Sequence, residues 1–184
     1  LGAALGHAEV VAALMAAGRD LLLYPGGTYE AVKLPEQRYE LMWKNRYGFI
    51  RLAAKMGYTI VPFAAVGPDE YFDQHLTGPE VQGAQLTQLL IQLGILPADL
   101  RSDLVPPIPS GVMGTPIPKP KTTYYSFCAP IDLSGYAGRN ITQKQQERIR
   151  SDVEQAIELE IKNLLLKREQ SRHKDGLLRR ILSI

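Results

Sequence analysis

The stretch Leu21–Ala31 reads LLLYPGGTYEA and joins a short apolar run to a sharp backbone break. Asp20–Tyr24 (DLLLY) has the length and the apolar character of a buried strand. The tetrapeptide PGGT follows at 25–28, and two successive glycines let the backbone turn tightly and approach a ligand closely. The stretch therefore predicts a buried strand that ends in a turn able to face a ligand.

A second block, Gly48–Gly67, reads GFIRLAAKMGYTIVPFAAVG. Within and just before it, residues 44–56 have helical spacing, and Gly57 ends the helix. The predicted apolar face of this helix consists of Phe49, Leu52, Ala53 and Met56. Tyr58–Ala65 is strand-like and is expected to end or bulge at Pro62. Strand, helix and strand in this order predict a βαβ unit with parallel strands.

The rest of the chain supplies more helices and one more strand. Residues 7–17 predict a first helix, Thr122–Ile131 a late strand, and Asn140–Gln170 a long helix. A capping box of Thr142 and Gln145 begins that long helix, and its apolar stripe is Ile149, Val153, Ile157 and Ile161. The predicted fold class is α/β, a mostly parallel β-sheet flanked by helices, with a long C-terminal helix.

Composition limits the classes that need to be considered. The 184 residues are 45% hydrophobic and 22% charged, which fits one globular domain spanning 1–184. The net charge of +2 does not predict nucleic-acid binding, and Cys128 is the single cysteine, so an internal disulfide is excluded. Residues 69–121 predict a Pro-rich insertion or lid. Residues 171–184 predict a basic amphipathic tail that lies on a membrane surface or docks on the domain.

The two quoted blocks together resemble the glycerolipid acyltransferase superfamily, which includes lysophospholipid and diacylglycerol acyltransferases. The PGG form with a downstream Glu30 is most similar to the branch of type-2 diacylglycerol acyltransferases and phytyl ester synthases. The resemblance extends from about Gly6 to Gly67 and continues loosely into the Pro-rich segment. It implies transfer of an acyl group from acyl-CoA or acyl carrier protein to the hydroxyl of a lipid, with acyl-CoA as co-substrate and no cofactor or metal.

The chain departs from this family at the catalytic base. Family members use an H-x4-D motif, in which the histidine takes the hydroxyl proton and the aspartate orients the imidazole. Here His7, His75 and His173 are followed five residues on by Ala, Glu and Leu. The resemblance therefore implies no catalytic residue in this chain. It places the His-Asp pair upstream of Leu1 and leaves the 184 residues inactive alone, as the C-terminal part of an incomplete domain.

A second departure concerns the acceptor. Members that act on glycerol phosphates carry Glu-Gly-Thr-Arg, and the arginine suits a phosphate. Here Gly26 stands at the Glu position and Tyr29 at the Arg position. The resemblance therefore implies an uncharged acceptor such as diacylglycerol, although Arg38, Arg46 or Arg51 could supply charge from elsewhere.

The candidate substrate-binding residues follow from the resemblance, and each has a plainer interpretation. The set is Pro25, Gly26, Gly27, Thr28, Glu30, Arg46 and Arg51. The two glycines could serve only a tight turn, and Glu30 could simply favour a helix start. Lys44, Arg46 and Arg51 could form a solvated helix face or contact phosphates of the donor or of lipid head groups. The turn could also offer N–H groups to a developing oxyanion.

Three functional hypotheses remain open at this stage. The first is an acyl-CoA-dependent O-acyltransferase acting at the cytoplasmic face of a membrane, with acyl-CoA, a lipid acceptor and the membrane surface as partners and no nucleic acid. The second is a degenerate, non-catalytic acyltransferase-like domain that binds lipid or a protein partner, which the missing H-x4-D favours. The third is an unrelated α/β domain. Thioester turnover with a neutral alcohol separates the first from the second.

Overall fold

The structure is a computed structural model that describes residues 7–31, 33–76, 92–93, 108–112, 115 and 117–171. The chain forms two compact units. The first contains the described residues of Leu1–Ala31, Tyr39–Val66 and Tyr124–Gln170. The second contains those of Val32–Arg38, Gly67–Thr123 and Ser171–Ile184.

The first unit holds four helices and one β-sheet. The helices are α1 (Ala8–Ala16), α2 (Thr28–Ala31), α3 (Gly48–Met56) and α4 (Gln143–Ser171), the last of which ends one residue beyond the unit. Strand β1 (Phe63–Val66) is antiparallel to a late strand, Tyr124–Phe127. An antiparallel bridge between Ile60 and Ile131 extends this pairing. A single 3₁₀ turn at Ser134–Tyr136 precedes α4.

The second unit contains a small hairpin-like sheet. Strands β2 (Gln74–Leu76) and β3 (Ile108–Ser110) pair in antiparallel orientation, so the late strand Tyr124–Phe127 is β4. Single 3₁₀ turns occur at Pro35–Gln37 and Pro68–Glu70. An ion pair of 2.6 Å between Lys119 Nζ and Asp73 Oδ2 lies next to β2.

The predicted fold class, a mostly parallel sheet, is wrong. Both sheets of the described residues have two strands, and both are antiparallel. Asp20–Tyr24, the expected first strand of a βαβ unit, forms no strand, and its three leucines are exposed by 38%, 70% and 38%. The run does not become a strand because β1 pairs with a different segment. β1 forms its backbone hydrogen bonds with β4, which lies far along the chain, with Phe63 opposite Phe127 and Val66 opposite Tyr124.

The long helix and its cap are confirmed. The predicted helix Asn140–Gln170 is present as α4. The Thr142 N–H donates to Gln145 Oε1 at 2.8 Å, and the Gln145 N–H donates to Thr142 Oγ1 at 3.3 Å, which is the reciprocal pattern of a capping box. The four predicted core residues of α4 are all buried: Ile149, Val153, Ile157 and Ile161.

The hydrophobic core of the first unit brings α3, β1 and α4 together. Ile50 and Ala54 of α3 are fully buried, whereas the predicted face residues Phe49, Leu52 and Met56 are only partly buried against that core. Trp43 also belongs to this core and is buried. The helix begins at Gly48 rather than at residue 44, and Gly57 ends it in the left-handed conformation at φ 67°. Removing apolar area of this kind from water is the main stabilising term of the unit.

Several other expectations have a definite outcome. The first helix was predicted at 7–17 and spans Ala8–Ala16. A strand was predicted at Tyr58–Ala65 with an end or bulge at Pro62, but β1 spans Phe63–Val66 and begins only after Pro62. Cys128 is half-buried, and burial raises the pKa of its thiol. The tail 172–184 and most of the predicted insertion 69–121 lie outside the described residues.

Candidate functional site

The PGGT segment forms a turn that leads directly into α2. The Gly27 N–H donates to the Tyr24 carbonyl at 3.1 Å, and the Glu30 N–H donates to the Gly27 carbonyl at 3.1 Å. Gly27 has φ 54°, a left-handed conformation that glycine adopts without a steric penalty. The predicted tight turn is therefore present, and Gly27 is required for its conformation.

Gly26 makes room for the side chain of Glu30. A Cβ atom at Gly26 would overlap the Glu30 Cγ and Cδ atoms. Held in that space, the Glu30 carboxylate accepts a hydrogen bond from the Met42 N–H at 3.1 Å. Glu30 therefore joins the turn to the segment that leads to α3, and Gly26 permits that contact.

Arg46 also holds the PGGT turn, through a hydrogen bond to its first residue. Its Nη1 atom donates to the Pro25 carbonyl at 2.8 Å. A Cβ atom at Gly27 would lie 3.1 Å from that same nitrogen, so the guanidinium packs closely on the turn backbone. Arg46 therefore helps to hold the turn in its conformation, and its positive charge lies beside the PGGT backbone.

Tyr29 stacks with the cations of the following loop. Lys44 Nζ lies 3.3 Å from the centre of the Tyr29 ring, and the Arg46 guanidinium carbon lies 5.5 Å from it. Such cation–π contacts attract the cation to the face of the ring. Hydrogen bonding to Lys44, followed by the charge of that ammonium, lowers the pKa of the Tyr29 phenol. Lys44 itself has φ 48°, unusual for a residue with a side chain.

An exposed apolar surface adjoins the turn. The ring of Tyr24 contacts Phe63 edge-on, with ring centres 6.1 Å apart, and Phe63 contacts Phe127 at the same distance. Tyr24 is 62% exposed and Phe127 is 76% exposed. We call Tyr24, Phe63 and Phe127 the aromatic surface. It reaches the PGGT turn through Tyr24, the residue before Pro25.

The structure brings together most of the predicted site residues but separates one of them. Five of the seven lie at the turn through the contacts above: Pro25, Gly26, Gly27, Glu30 and Arg46. Thr28 begins α2, and its side chain is outside the description. Arg51 lies elsewhere, on α3, where it lines a groove with Lys55 and Arg139.

Sequence reasoning placed some cations wrongly and missed others. Lys44 and Arg46 precede α3, so the predicted common helix face with Arg51 does not exist. The pairing of Lys44 with Tyr29 had no sequence signal, because it depends on the loop conformation. Lys55 could have been found, since it lies four residues after Arg51 and thus on the same helix face. Arg139 had no such signal, because it comes from a distant loop.

The turn offers fewer free N–H groups than expected. Hydrogen bonds within the turn engage the N–H groups of Gly27, Tyr29 and Glu30. These three donors are therefore occupied within the turn, and the oxyanion role stays a prediction.

The histidines give no support for a catalytic role among the described residues. His7 is exposed and precedes α1, where its side chain makes no capping hydrogen bond. His75 lies in β2, and its side chain falls outside the description, as does His173. The part of the chain that the structure describes also contains no cluster of three or more His, Cys, Asp or Glu residues suited to a metal ion.

Within the described ranges, no helix combines the length and the apolar composition that a bilayer crossing requires.

Comparison with known proteins identifies relatives by sequence. The chain is 32% identical over 146 residues to phytyl ester synthase 2, chloroplastic, of Arabidopsis thaliana, which covers 75% of this chain and 21% of the relative. It is 29% identical over 163 residues to phytyl ester synthase 1, chloroplastic, of the same plant, covering 85% of this chain and 23% of the relative. A shorter match, 33% over 58 residues, joins it to diacylglycerol O-acyltransferase 2B of Umbelopsis ramanniana, covering 32% of this chain and 17% of that protein.

These alignments show how much of each relative the chain represents. It spans about a fifth of the length of the two phytyl ester synthases. No solved structure matches it significantly. The family model described as diacylglycerol acyltransferase matches residues 7–123, which is more than half of the chain and includes the PGGT turn, α3 and β1. The predicted resemblance is therefore confirmed, and the chain belongs to the diacylglycerol acyltransferase family.

Proposed function

We propose that this chain forms part of an O-acyltransferase that moves an acyl group from acyl-CoA to the hydroxyl of an uncharged lipid alcohol. The alcohol oxygen attacks the thioester carbonyl carbon, a C–O bond forms, the C–S bond breaks, and CoA leaves as the thiol with the proton of the alcohol. No H-x4-D occurs in these residues, so the proposal assigns no catalytic base to them. Family membership supports acyl transfer to a lipid.

The observation that carries this proposal is the position of the aromatic surface next to the PGGT turn. Exposed apolar area of this kind marks surfaces that bind apolar partners. We assign it to the hydrocarbon part of the lipid substrate, because Tyr24 leads straight into Pro25 and the turn held by Glu30 and Arg46. A hydrocarbon chain on Phe63 and Phe127 would bring its attached polar end towards that turn.

Two observations support an uncharged acceptor. Lys44 and Arg46 stack on Tyr29, and Arg46 also binds the Pro25 carbonyl, so both cations already have contacts at the turn. A phosphate would have to compete with those contacts. The relatives are in addition named for phytyl esters and for diacylglycerol, whose acceptor alcohols carry no charge.

Membrane association is part of the same proposal. A substrate with long hydrocarbon chains is held in a bilayer, so the protein must reach the bilayer surface to bind it. The exposed aromatic surface and the basic composition of 171–184 suit such contact.

The test measures CoA thiol release by the protein with its complete native sequence, using acyl-CoA and vesicles that contain diacylglycerol. Phe127→Ser should lower turnover about 10- to 150-fold, because removing an aromatic contact of this size costs roughly 1.5–3 kcal/mol. Leu159→Ser is the matched control, since Leu159 is 61% exposed on α4 and lies outside the aromatic surface. Equal turnover by both variants would refute the lipid assignment.

The missing H-x4-D favours one alternative, a degenerate domain that binds lipid without chemistry. In that case the native protein would bind diacylglycerol vesicles and release no thiol. Release of thiol that depends on the acceptor would exclude this alternative.

A further inference from the structure

A groove of about 320 Å³ lies beside α3, apart from the contacts that form the PGGT turn. Its volume is at the lower end of the range of roughly 300–1,000 Å³ that small-molecule sites occupy. Helix α3 and the loop before α4 supply its walls, which include Gly48, Arg51, Leu52, Lys55, Arg139 and Ile141. Three of these side chains are cationic.

The two walls are fixed to one another by the backbone. The Gly138 N–H donates to the Lys55 carbonyl at 2.8 Å, which ties the loop that carries Arg139 to the end of α3. Gly57 packs against the same loop so closely that a Cβ atom there would lie 3.0 Å from the Ala137 Cβ. Arg51 and Lys55 are four residues apart and thus share one helix face. The three cations are therefore held around one cavity by well-packed backbone.

The cations of the groove have no acidic counter-ion within the described part of the chain. None of Arg51, Lys55 and Arg139 forms an ion pair with a carboxylate among the residues that the structure describes. Like charges gathered at one cavity repel each other, and a bound anion relieves that repulsion. Gly48, the first residue of α3, also lines the groove, and the N-terminal turn of a helix adds a favourable field for an anion.

We propose that this cationic groove binds the phosphate groups of the acyl donor, coenzyme A in its acylated form. The assignment rests on the proposed acyl transfer. Arginine and lysine side chains are the usual protein ligands of phosphate, and arginine can bind it through two hydrogen bonds. Leu52 and Ile141 give the groove an apolar wall, which suits a ligand with a ring and an alkyl part beside its phosphates better than a bare phosphate.

The position of the groove along the chain fits a donor. Arg46 binds the PGGT turn, and Gly48 lines the groove two residues later. Two residues span at most roughly 7 Å, so the backbone that holds the turn continues directly into the groove wall. A donor anchored by its phosphates at α3 has its remaining length available to extend along this segment.

The experiment measures the dissociation constant of coenzyme A by titration calorimetry on the native protein. The Arg51→Gln, Lys55→Gln double variant should bind coenzyme A at least about tenfold more weakly, because two charged contacts to phosphate are lost. Lys162→Gln is the matched control, an exposed lysine of α4 outside the groove, and should bind as the unchanged protein does. On the unchanged protein, dephospho-coenzyme A should bind more weakly than coenzyme A. On the double variant, the two ligands should bind with equal affinity.

Near-ultraviolet circular dichroism verifies that each variant is folded. Unchanged affinity for coenzyme A in a folded double variant overturns the proposal. The proposal is also overturned if the double variant binds coenzyme A normally but loses binding to phosphatidylcholine vesicles that contain phosphatidic acid, because the groove would then hold a lipid head group.

Thiol release measured in parallel separates this inference from the proposed function. Acyl transfer with an unchanged KM for acyl-CoA in the double variant refutes the groove alone. Tight coenzyme A binding that the double variant loses, in a native protein with no acyl transfer, refutes the proposed function alone.

Discussion

The PGGT turn and the cationic groove are connected by a short segment, since Arg46 binds the turn and Gly48 lines the groove. The polar side chains of the two regions nevertheless have different partners. At the turn, Glu30 binds the Met42 N–H and Arg46 binds the Pro25 carbonyl, so each has a partner in the protein. In the groove, Arg51, Lys55 and Arg139 have no carboxylate partner among the residues described. The difference teaches that the conspicuous sequence motif builds the local backbone, while the inconspicuous cations remain available to a ligand.

The largest expected effect on stability is at Gly26. Gly26→Ala forces the Glu30 side chain out of its place and breaks its hydrogen bond to Met42, so unfolding free energy should fall by about 1–3 kcal/mol. Urea unfolding measures this loss. In a Glu30→Ala background the same change should cost much less, because the overlapping atoms are gone. Equal costs in both backgrounds would mean that the Gly26–Glu30 contact does not hold the turn.

The groove should behave in the opposite way. Removing charge with Arg51→Gln and Lys55→Gln should change the free energy of unfolding by no more than about 0.5 kcal/mol, because both side chains are exposed and have no ion-pair partner among the described residues to lose. Thermal and urea unfolding at low salt provide the measurement. A loss as large as that of Gly26→Ala would make these cations structural and remove the contrast between the two regions.

The smallest effect concerns the charge beside Tyr29. The Lys44 interaction lowers the pKa of this phenol below its ordinary value of 10.0, so the phenolate forms at lower pH in the folded protein than in the unfolded chain. The stabilising contribution is therefore present above the unfolded pKa and is lost as the pH falls through the folded pKa. Lys44→Met should raise the Tyr29 pKa, followed by NMR of ring-labelled tyrosine with Tyr29→Phe to assign the signal. An unchanged titration would exclude the contact with Lys44.

Local features of the sequence predicted the helices well. The capping box of Thr142 and Gln145 and the isoleucine stripe of α4 depend on neighbours within one or two turns, and the structure has both. The presence of a tight turn at PGGT was predictable for the same reason, since Gly27 adopts the left-handed conformation that the turn needs. Expectations of this kind need no knowledge of distant parts of the chain.

Long-range pairing was beyond such reasoning. The apolar run Asp20–Tyr24 is compatible with a buried strand, but whether it becomes one depends on which strand lies beside β1, and that strand is β4. The contact between Glu30 and Met42 depends on the loop conformation after α2. Arg139 joins Arg51 only because Gly138 binds the end of α3. No spacing rule along the sequence encodes these three relations.

The central claim, acyl transfer to an uncharged lipid alcohol, is tested most directly by competition between acceptors. The native protein is given labelled acyl-CoA with equal amounts of diacylglycerol and lysophosphatidate in the same vesicles, and the labelled lipids are separated and counted. Our account predicts that triacylglycerol carries most of the label, because Lys44 and Arg46 are engaged with Tyr29 and the Pro25 carbonyl. Label found mainly in phosphatidate, or in neither product, would contradict it.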